Sequence, residues 1–482
     1  MAVIEYYANG KLQRLTIQPL DRVAAAAPSR RQIRPGQRTM ARMAPLVLTA
    51  LRSQTERLVP LLHEFTDSAV MMAVPKADGP TVVPTPTLVV EGATRAELKK
   101  LKDKFGVEVV DEGSQGKVLL RAKTAGEDGI KIAAEAAKAA YRLEHVKASH
   151  PNFIRILDQV KPSAAGGQPL WNHSNDGKPG VPGADVAALA AWTMTKGDKE
   201  IRVAVLDEGV DTDHPDLKKA VVAEKDFVAD NPTAKPDGND AHGTACAGII
   251  VSRAAKYPGL ASDCSLVAIR IAKGDGANGW IFDDFKTADA IDWAWKDGKA
   301  DVLSNSWGGG PPVDVITRAF DRARTKGRAN KGSVVVIATG NSNGPINFPA
   351  TIPNVLAVGA STPWDERKSP TSKDGENWWG SNFGPGLSLL APGVKIATTD
   401  IHGPNGYDAG DYVMTFNGTS SATPHVAAAA ALILAVAPDL SEQKVRDAIT
   451  GSADRLVANG AWEKYVGWGR LNMFSALRRA RR

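Results

Sequence analysis

The chain has 482 residues, 43% of them hydrophobic, so it is long enough for two or three globular domains with a sizeable core. Its formal net charge of +6 is modest, and its two cysteines, Cys246 and Cys264, exclude a disulfide framework as the source of stability. Much of the basic excess lies near the two chain ends without interleaved aromatic residues. We therefore expect solvated segments there, and neither a nucleic-acid nor a membrane surface.

The first residues lack the basic region and the apolar core of a secretory signal, which predicts a cytoplasmic protein. An alternative start at Met40 would place the apolar stretch 40–51 where a short signal lies and would give a secreted protein.

Residues 1–86 are predicted to be a partly flexible amino-terminal extension whose role the sequence does not reveal. The segment 44–64 has the pattern of a helix. Prolines between Pro75 and Pro86 are typical of a linker.

Residues 87–157 are predicted to form a small α+β domain. A strand at Leu88–Val90 is followed by Thr94 and Glu97, which form the pattern of a capping box at the start of a helix. Two further strands, an alanine-rich helix and a final extended segment complete the order βαββαβ. This order indicates a ferredoxin-like unit.

Residues 158–183 are rich in Gly, Pro, Ser and Asn, which predicts an exposed linker and a cleavage zone. Residues 184–482 then alternate helical patterns with apolar runs, and these runs predict buried strands at 203–206, 266–269, 334–337 and 355–358. Strands that are apolar on both faces and alternate with helices indicate an α/β fold with a mostly parallel sheet covered on both sides.

Three residues of the third region carry the chemistry of nucleophilic catalysis. Asp207 ends a predicted strand, His242 opens a segment of small residues, and Ser420 follows Gly418 at the start of a long apolar helix. A helix start favours negative charge because its backbone N–H groups are unpaired. A serine hydroxyl needs an imidazole to take its proton, and the imidazole needs a carboxylate to hold it.

The order Asp, His, Ser and the motifs around these residues resemble the subtilisin family of serine peptidases, roughly from Pro169 to the C-terminus. Further matches are the segments 301–309 and 467–472. The resemblance implies a three-layer αβα fold with Asp207, His242 and Ser420 as the catalytic triad. It also implies that 87–157 is an inhibitory propeptide.

The resemblance assigns further site residues. Asn341, which follows an apolar strand, matches the asparagine that donates to the oxyanion. Ser306, Trp307 and Gly308 are expected to line the substrate cleft, with Asn347 near the base of the S1 pocket. This implies an uncharged S1 pocket and an apolar or small residue before the cleaved bond.

The sequence allows more than one role for several further residues. Asp283 and Asp284 match the upstream rim of the cleft and could attract basic substrate residues, but ordinary surface carboxylates are expected. Glu208 stands where the family usually has Ser or Thr, and either points to solvent or raises the pKa of the catalytic histidine. Cys246 matches a buried thiol beneath that histidine, which favours a structural role.

No metal cofactor is expected. Asp216 matches a calcium ligand of the family, but the loop 253–258 offers only the phenol of Tyr257 and two basic residues in place of further oxygen ligands. Since calcium takes about 6–8 oxygen ligands, we predict that this site is lost. A weak calcium site elsewhere stays an alternative.

The predicted function is a serine endopeptidase that acts on proteins or peptides and is made as a self-inhibited zymogen. The propeptide binds in cis and is expected to be cut off between about Ile154 and Gln168. One alternative is a protein-binding module of the same fold, whose residues 1–85 dock a partner. Another uses the basic chain ends as a targeting device for nucleic acid or membrane.

Overall fold

The structure, a computed structural model, describes residues 2–19, 71–73, 81–163, 169–274 and 279–481. The chain divides into two compact units. The first contains Met1–Leu157, Asp275–Phe285 and Pro312–Val315, and the second contains Asp158–Gly274, Lys286–Pro311 and Ile316–Arg482. The predicted helix near 44–64 and the apolar stretch 40–51 lie outside the described residues.

A β-hairpin begins the first unit. Strand β1 (Ala2–Ala8) pairs antiparallel with β2 (Lys11–Pro19), and β3 (Met71–Ala73) pairs with β2. Asn9 and Gly10 join the first two strands with φ angles of 51° and 71°. Two positive φ angles are typical of a type I′ hairpin turn, so the Asn-Gly pair was a signal for this hairpin that our sequence analysis missed.

The ferredoxin-like order βαββαβ is confirmed in the first unit. Its elements are β4 (Thr81–Glu91), α1 (Arg95–Phe105), β5 (Val107–Glu112), β6 (Lys117–Ala122), α2 (Gly126–Ala140) and β7 (Ala148–Asp158). A short 3₁₀ turn, Ser114–Gly116, separates β5 from β6. The strands pair antiparallel in the order β7-β4-β6-β5. The capping box is also confirmed, because Thr94 Oγ1 accepts the N–H of Glu97 and Glu97 Oε2 accepts that of Thr94.

Two details of the first unit differ from the sequence analysis. The predicted linker is wrong from residue 81 onward, because β4 includes Pro84 and Pro86 and pairs with β7 across a bulge. The strand β12 (Gly279–Asp283) also joins this sheet beside β7. The hydrophobic pattern of one segment does not show which strand it pairs with, and β12 and β7 are far apart in the sequence.

The second unit contains a seven-stranded sheet in the order β16-β15-β14-β13-β8-β10-β9. All six strand pairs are parallel. The strands are β8 (Arg202–Asp207), β9 (Val221–Asp226), β10 (Ser265–Arg270), β13 (Val302–Asn305), β14 (Val334–Ala338), β15 (Leu356–Ser361) and β16 (Leu389–Pro392). Three short strands lie outside it: β11 (Lys273–Gly274), β17 (Ile396–Thr399) and β18 (Tyr412–Phe416).

Helices cover this sheet, which confirms the predicted α/β fold. They are α3 (Ala188–Trp192), α4 (His242–Val251), α5 (Asp284–Lys296), α6 (Asp314–Asn330), α7 (Thr419–Val436), α8 (Glu442–Gly451) and α9 (Met473–Ala480). Every residue of β10, β14 and β15 is buried, so both faces of the sheet are covered. Among the described residues, α7 is long and apolar enough to cross a membrane, but 89% of it is buried, as expected of a core helix.

The predicted exposure of the segment 169–183 is wrong at residues 171–173. This segment has no helix or strand, but the side chains of Trp171, Asn172 and His173 are buried. Trp171 Nε1 donates to the carbonyl of Val394, so the segment is packed into the second unit.

Candidate active site

Asp207 and His242 are hydrogen-bonded to each other. Asp207 is the last residue of β8, and His242 is the first residue of α4. The two carboxylate oxygens of Asp207 lie 3.0 and 3.2 Å from His242 Nδ1, and both side chains are buried. A carboxylate in this position fixes the tautomer of the imidazole and leaves Nε2 as its proton acceptor.

Ser420 lies in the first turn of α7, preceded by Gly418 with a φ of 116°. Its hydroxyl donates to the carbonyl of Ser306 at 3.1 Å, and the hydroxyl of Ser306 donates to the carbonyl of Ser420 at 2.9 Å. A side chain at residue 418 would be strained at this φ, so glycine is needed for the sharp turn into the helix. Ser306, predicted to line the cleft, therefore contacts Ser420 directly.

Cys246 lies between the helices that carry His242 and Ser420. Its Sγ lies 3.7 Å from His242 Nδ1 and 3.6 Å from the carbonyl of Ser420. The ring of Phe416 packs edge-on against the His242 ring, with 5.3 Å between the ring centroids. Burial raises the pKa of the Cys246 thiol, so it stays protonated and acts as a packing group between the histidine and the serine.

Asn341 lies beside Ser420 and has a fixed amide orientation. Its Oδ1 accepts the backbone N–H of Thr419 at 2.8 Å and the Thr419 hydroxyl at 2.9 Å. A Cβ placed on Gly418 would lie 3.6 Å from both Asn341 Nδ2 and Ser420 Cβ. The amide nitrogen is therefore near the serine, where an oxyanion donor is needed.

The predicted pocket residues lie on neighbouring loops of the second unit. Trp307 is buried and its ring stacks on Phe320 with 6.1 Å between centroids. A Cβ on Gly308 would lie 2.9 Å from the carbonyl of Phe348, and Asn347 Nδ2 lies 2.5 Å from the Cβ position of Gly340. These residues border the loop that carries Asn341, and their role in substrate binding stays a prediction.

Glu208 does not point to solvent, so that interpretation is wrong. Its side chain is buried, and Oε1 accepts the backbone N–H of His242 at 2.7 Å. Burial, followed by the charges of Asp240 and Asp207, raises the pKa of Glu208 well above its ordinary value. Burial likewise raises the pKa of Asp240 to about 6. The sequence could not show this burial, because the partners of Glu208 are distant in sequence.

Asp284 is not a surface carboxylate, so that expectation is also wrong. Within the first unit, its carboxylate forms a buried ion pair with Arg155, at 2.5 and 3.0 Å. Asn152 donates to Asp283 at 2.6 Å and accepts the backbone N–H of Phe285 at 3.3 Å. The segment 283–285 therefore binds polar side chains of β7.

The Asp216 position does not suit calcium. The Tyr412 hydroxyl donates to the Asp216 carboxylate, and the ring of Tyr412 packs on Tyr257 with 5.1 Å between centroids. The facing loop thus presents aromatic rings where a hard cation needs several oxygen ligands. Elsewhere among the described residues, ligand atoms of Asp207, His242 and Cys246 lie within 4.8 Å of one another, but the first two are already hydrogen-bonded to each other.

Comparisons with known proteins identify the class. The sequence pattern of the subtilase family (Peptidase_S8) matches residues 198–469. Thermitase from Thermoactinomyces vulgaris is 34% identical over 297 residues, which are 61% of this chain and 93% of thermitase. The chain therefore belongs to the subtilase family, the class of subtilisin-like serine endopeptidases.

Two further comparisons extend beyond the peptidase region. A calcium-dependent protease from Nostoc sp. is 30% identical over 381 residues, which are 69% of this chain and 54% of that protein. The chain thus spans about half the length of this relative. Fervidolysin from Fervidobacterium pennivorans, described as a keratinolytic enzyme related to subtilisin, matches with a TM-score of 0.63 and 24% identity, over 84% of this chain and 62% of that structure. The last match shows the fold.

Proposed function

We propose that this chain is a serine endopeptidase that is made as a self-inhibited precursor and cuts itself. The observation that carries the proposal is the Asp207–His242 hydrogen bond, placed by Cys246 next to the turn that holds Ser420. In this proposal Ser420 is the nucleophile, His242 the general base and Asp207 its orienting carboxylate.

The reaction proceeds through an acyl-enzyme. His242 accepts the proton as Ser420 Oγ attacks the substrate carbonyl carbon, and Asp207 stabilises the imidazolium. The Asn341 amide nitrogen and the backbone N–H of Ser420 donate to the oxyanion. His242 then gives the proton to the leaving amine, and water hydrolyses the ester by the same steps in reverse.

The arrangement of the first unit supports the precursor proposal. Three carboxylates from segments 279–285 and 312–315 accept donors from the amino-terminal part of the chain. Asp283 accepts from Asn152, Asp284 accepts from Arg155, and Asp314 accepts the backbone N–H of Asn9 at 2.6 Å. The hairpin 2–19 also joins the ferredoxin-like domain, since Lys138 pairs with Glu5 at 2.6 Å. A domain that occupies these carboxylates is suited to inhibition in cis.

Activity and processing are tested with two purified proteins, the wild type and Ser420→Ala. Intact mass over time is expected to show shortening of the wild type only. A serine-directed fluorophosphonate is expected to label Ser420 in the processed protein, and hydrolysis of casein is expected to fall by at least about 10⁴-fold in Ser420→Ala. If the wild type neither shortens, nor labels, nor cleaves casein, the binding-module alternative replaces the peptidase.

The name of the Nostoc relative raises the question of calcium. We propose that this chain binds none at Asp216, because the hydroxyl of Tyr412 already contacts that carboxylate. A weak site elsewhere is tested by calcium titration of the processed protein, followed by its melting temperature.

A further inference from the structure

The residue that follows β7 contacts the catalytic region of the second unit. Gln159 Nε2 donates to Glu208 Oε2 at 2.9 Å, and the Tyr407 hydroxyl donates to Gln159 Oε1 at 3.2 Å. Glu208 follows the catalytic Asp207 directly and accepts the N–H of His242 with its other oxygen. The carboxamide of Gln159 is thus held at both ends, one residue away from the catalytic carboxylate.

The same segment is also held near the nucleophile. The N–H of Ser163 donates to the carbonyl of Thr415 at 3.0 Å, and the Thr415 hydroxyl donates to the carbonyl of Ser163 at 2.7 Å. Asn417 Nδ2 donates to the Ser163 hydroxyl at 2.8 Å and to the carbonyl of Lys161 at 3.3 Å. Thr415 and Asn417 lie in the chain that leads into Ser420.

These contacts define the direction of the segment. Ser163 lies at Thr415 and Lys161 at Asn417, so the two stretches run in opposite directions. The pairing ends at Asn417, because residues 419 and 420 already belong to α7, and the residues before Lys161 lie on the side of the catalytic residues. Gln159 is the residue of this segment whose side chain reaches Glu208, so we assign the cut to the bond on its amino side, between Asp158 and Gln159.

We propose that Glu208 and Tyr407 form a subsite for the carboxamide side chain of the residue that follows the cleaved bond. Gln159 occupies this subsite in the precursor and makes Asp158–Gln159 the bond that the chain cuts in itself. This inference rests on the proposed peptidase function and adds a specificity to it. Protein substrates with glutamine after the cleaved bond are therefore preferred.

The cleavage step is an ordinary hydrolysis. Ser420 Oγ bonds to the carbonyl carbon of Asp158, and the bond from that carbon to the nitrogen of Gln159 breaks. His242 transfers the serine proton to that nitrogen, which becomes the new amino terminus. Water then releases Asp158 as a free carboxylate and restores Ser420.

The subsite distinguishes side chains by their hydrogen-bonding groups. A carboxamide has both a donor for Glu208 and an acceptor for Tyr407. Alanine offers neither group, and glutamate would add a carboxylate beside Glu208 and Asp207. Leaving a buried polar group unpaired costs more than a new hydrogen bond stabilises, so the selection acts mainly against side chains that cannot pair.

We expect an aspartate before the cleaved bond to slow the self-cleavage. An uncharged S1 pocket is predicted for this chain, and a carboxylate loses hydration when it enters such a pocket. We therefore expect Asp158→Leu to speed processing at the same bond, whereas Gln159→Ala slows it roughly 2- to 10-fold.

The cleaved bond is identified by mass spectrometry of wild-type protein during maturation, with Ser420→Ala as the uncut reference. The expected new amino terminus is Gln159, either free or cyclised with loss of ammonia. Casein hydrolysis is measured in parallel. Casein cleavage together with a first cut at another bond overturns this inference and leaves the peptidase function standing. Absence of both casein cleavage and self-cleavage contradicts the peptidase function itself.

The subsite is tested on the processed enzyme with two quenched fluorescent peptides that span residues 155–163 and carry Gln or Ala at position 159. We divide kcat/KM for the Gln peptide by kcat/KM for the Ala peptide, and expect this ratio to fall roughly 2- to 10-fold in Tyr407→Phe. Tyr465→Phe removes a hydroxyl from a partly exposed ring that packs on Phe383, and serves as the matched control with an unchanged ratio.

A double-mutant cycle separates the subsite from general damage. In the precursor, Tyr407→Phe should slow processing when residue 159 is Gln. It should not slow processing further when Gln159→Ala is already present. An unchanged peptide ratio, or fully additive effects of the two substitutions on processing, overturns the assignment of the subsite.

Discussion

The helices that carry His242 and Ser420 are capped in the same way but by chemically different groups. Neither helix has a side-chain cap of its own, since α4 follows Ala241 and α7 follows Gly418. A distant loop residue instead accepts the first N–H of each helix. Glu208 accepts that of His242, and Asn341 accepts that of Thr419.

The difference lies in the second polar atom of each capping group. The neutral amide of Asn341 accepts with its oxygen and keeps a nitrogen that is always a donor, which suits an oxyanion at any pH. Glu208 has a second acceptor oxygen and can ionise, and its pKa is raised by burial. The serine helix thus has a cap that is insensitive to pH, whereas the histidine helix has one that responds to pH.

The sharpest test of this comparison is Asn341→Leu, which removes both the cap acceptor and the oxyanion donor of the serine helix. We expect kcat to fall about 10²- to 10³-fold with little change in KM, because the donor acts mainly in the transition state. Steady-state kinetics on a casein-derived peptide measures this effect. A rise in KM of the same size, with kcat unchanged, would instead assign Asn341 to binding of the substrate in the ground state.

The corresponding change at the histidine helix is Glu208→Ala, with Glu208→Gln as the conservative control. Alanine leaves the His242 N–H without its acceptor and lets the imidazole shift, so we expect kcat to fall roughly 10- to 100-fold. Glutamine keeps an acceptor oxygen and should restore most of the rate. Peptides with Ala after the cleaved bond are used, so that the proposed carboxamide subsite does not enter the result.

The pH response of Glu208 should appear in the free energy of unfolding. The folded state holds the Glu208 proton to a higher pH than the unfolded state, whose carboxyl titrates near the ordinary 4.5. Stability from this group is therefore lost as pH rises above 4.5 through the raised pKa. Glu208→Gln does not titrate, so its melting temperature should rise relative to the parent with increasing pH.

Calorimetry of both proteins in the Ser420→Ala background measures this difference without self-digestion. Asp240 contributes with the same sign in both proteins, which limits its influence on the difference. A difference in melting temperature that does not change with pH would contradict the ionisation of Glu208 as its cause.

The smallest expected effect is that of a chelator, because both helix starts are held by side chains. We expect EDTA to leave the melting temperature and kcat of the processed protein unchanged. Tyr412→Phe, which removes the hydroxyl from the Asp216 carboxylate, is the matching variant for a calcium titration. A marked loss of stability in EDTA would show a calcium site that the sequence analysis did not find.

The sequence predicted the apolar strands, the helix behind Ser420 and the α/β fold, because these depend on local patterns of hydrophobic residues. It did not predict the burial of Asp284 or Glu208. Each is buried by a partner that is distant in the chain, Arg155 for the first and His242 for the second. A single carboxylate has the same local pattern at the surface and in the interior, so only the three-dimensional contacts separate the two.

The assignments of Asp207, His242, Ser420 and Asn341 rested on their motifs, and the structure brings these residues into one region. Their catalytic roles, the propeptide role of 87–157 and the cytoplasmic location stay predictions. The first part of strand β4, which contains its prolines, was missed because its ladder partner, β7, begins more than 50 residues later in the chain.

Ser420 belongs to a helix whose first sixteen residues are all buried. Segments differ in how readily they open, and buried helices open only when the whole unit unfolds. Amide hydrogen exchange at α7 should therefore report global unfolding, while the half-exposed loop around Tyr407 exchanges sooner. On heating, selectivity for the residue after the cleaved bond should then be lost before the reactivity of Ser420. A warmed enzyme would therefore become less selective before it becomes inactive.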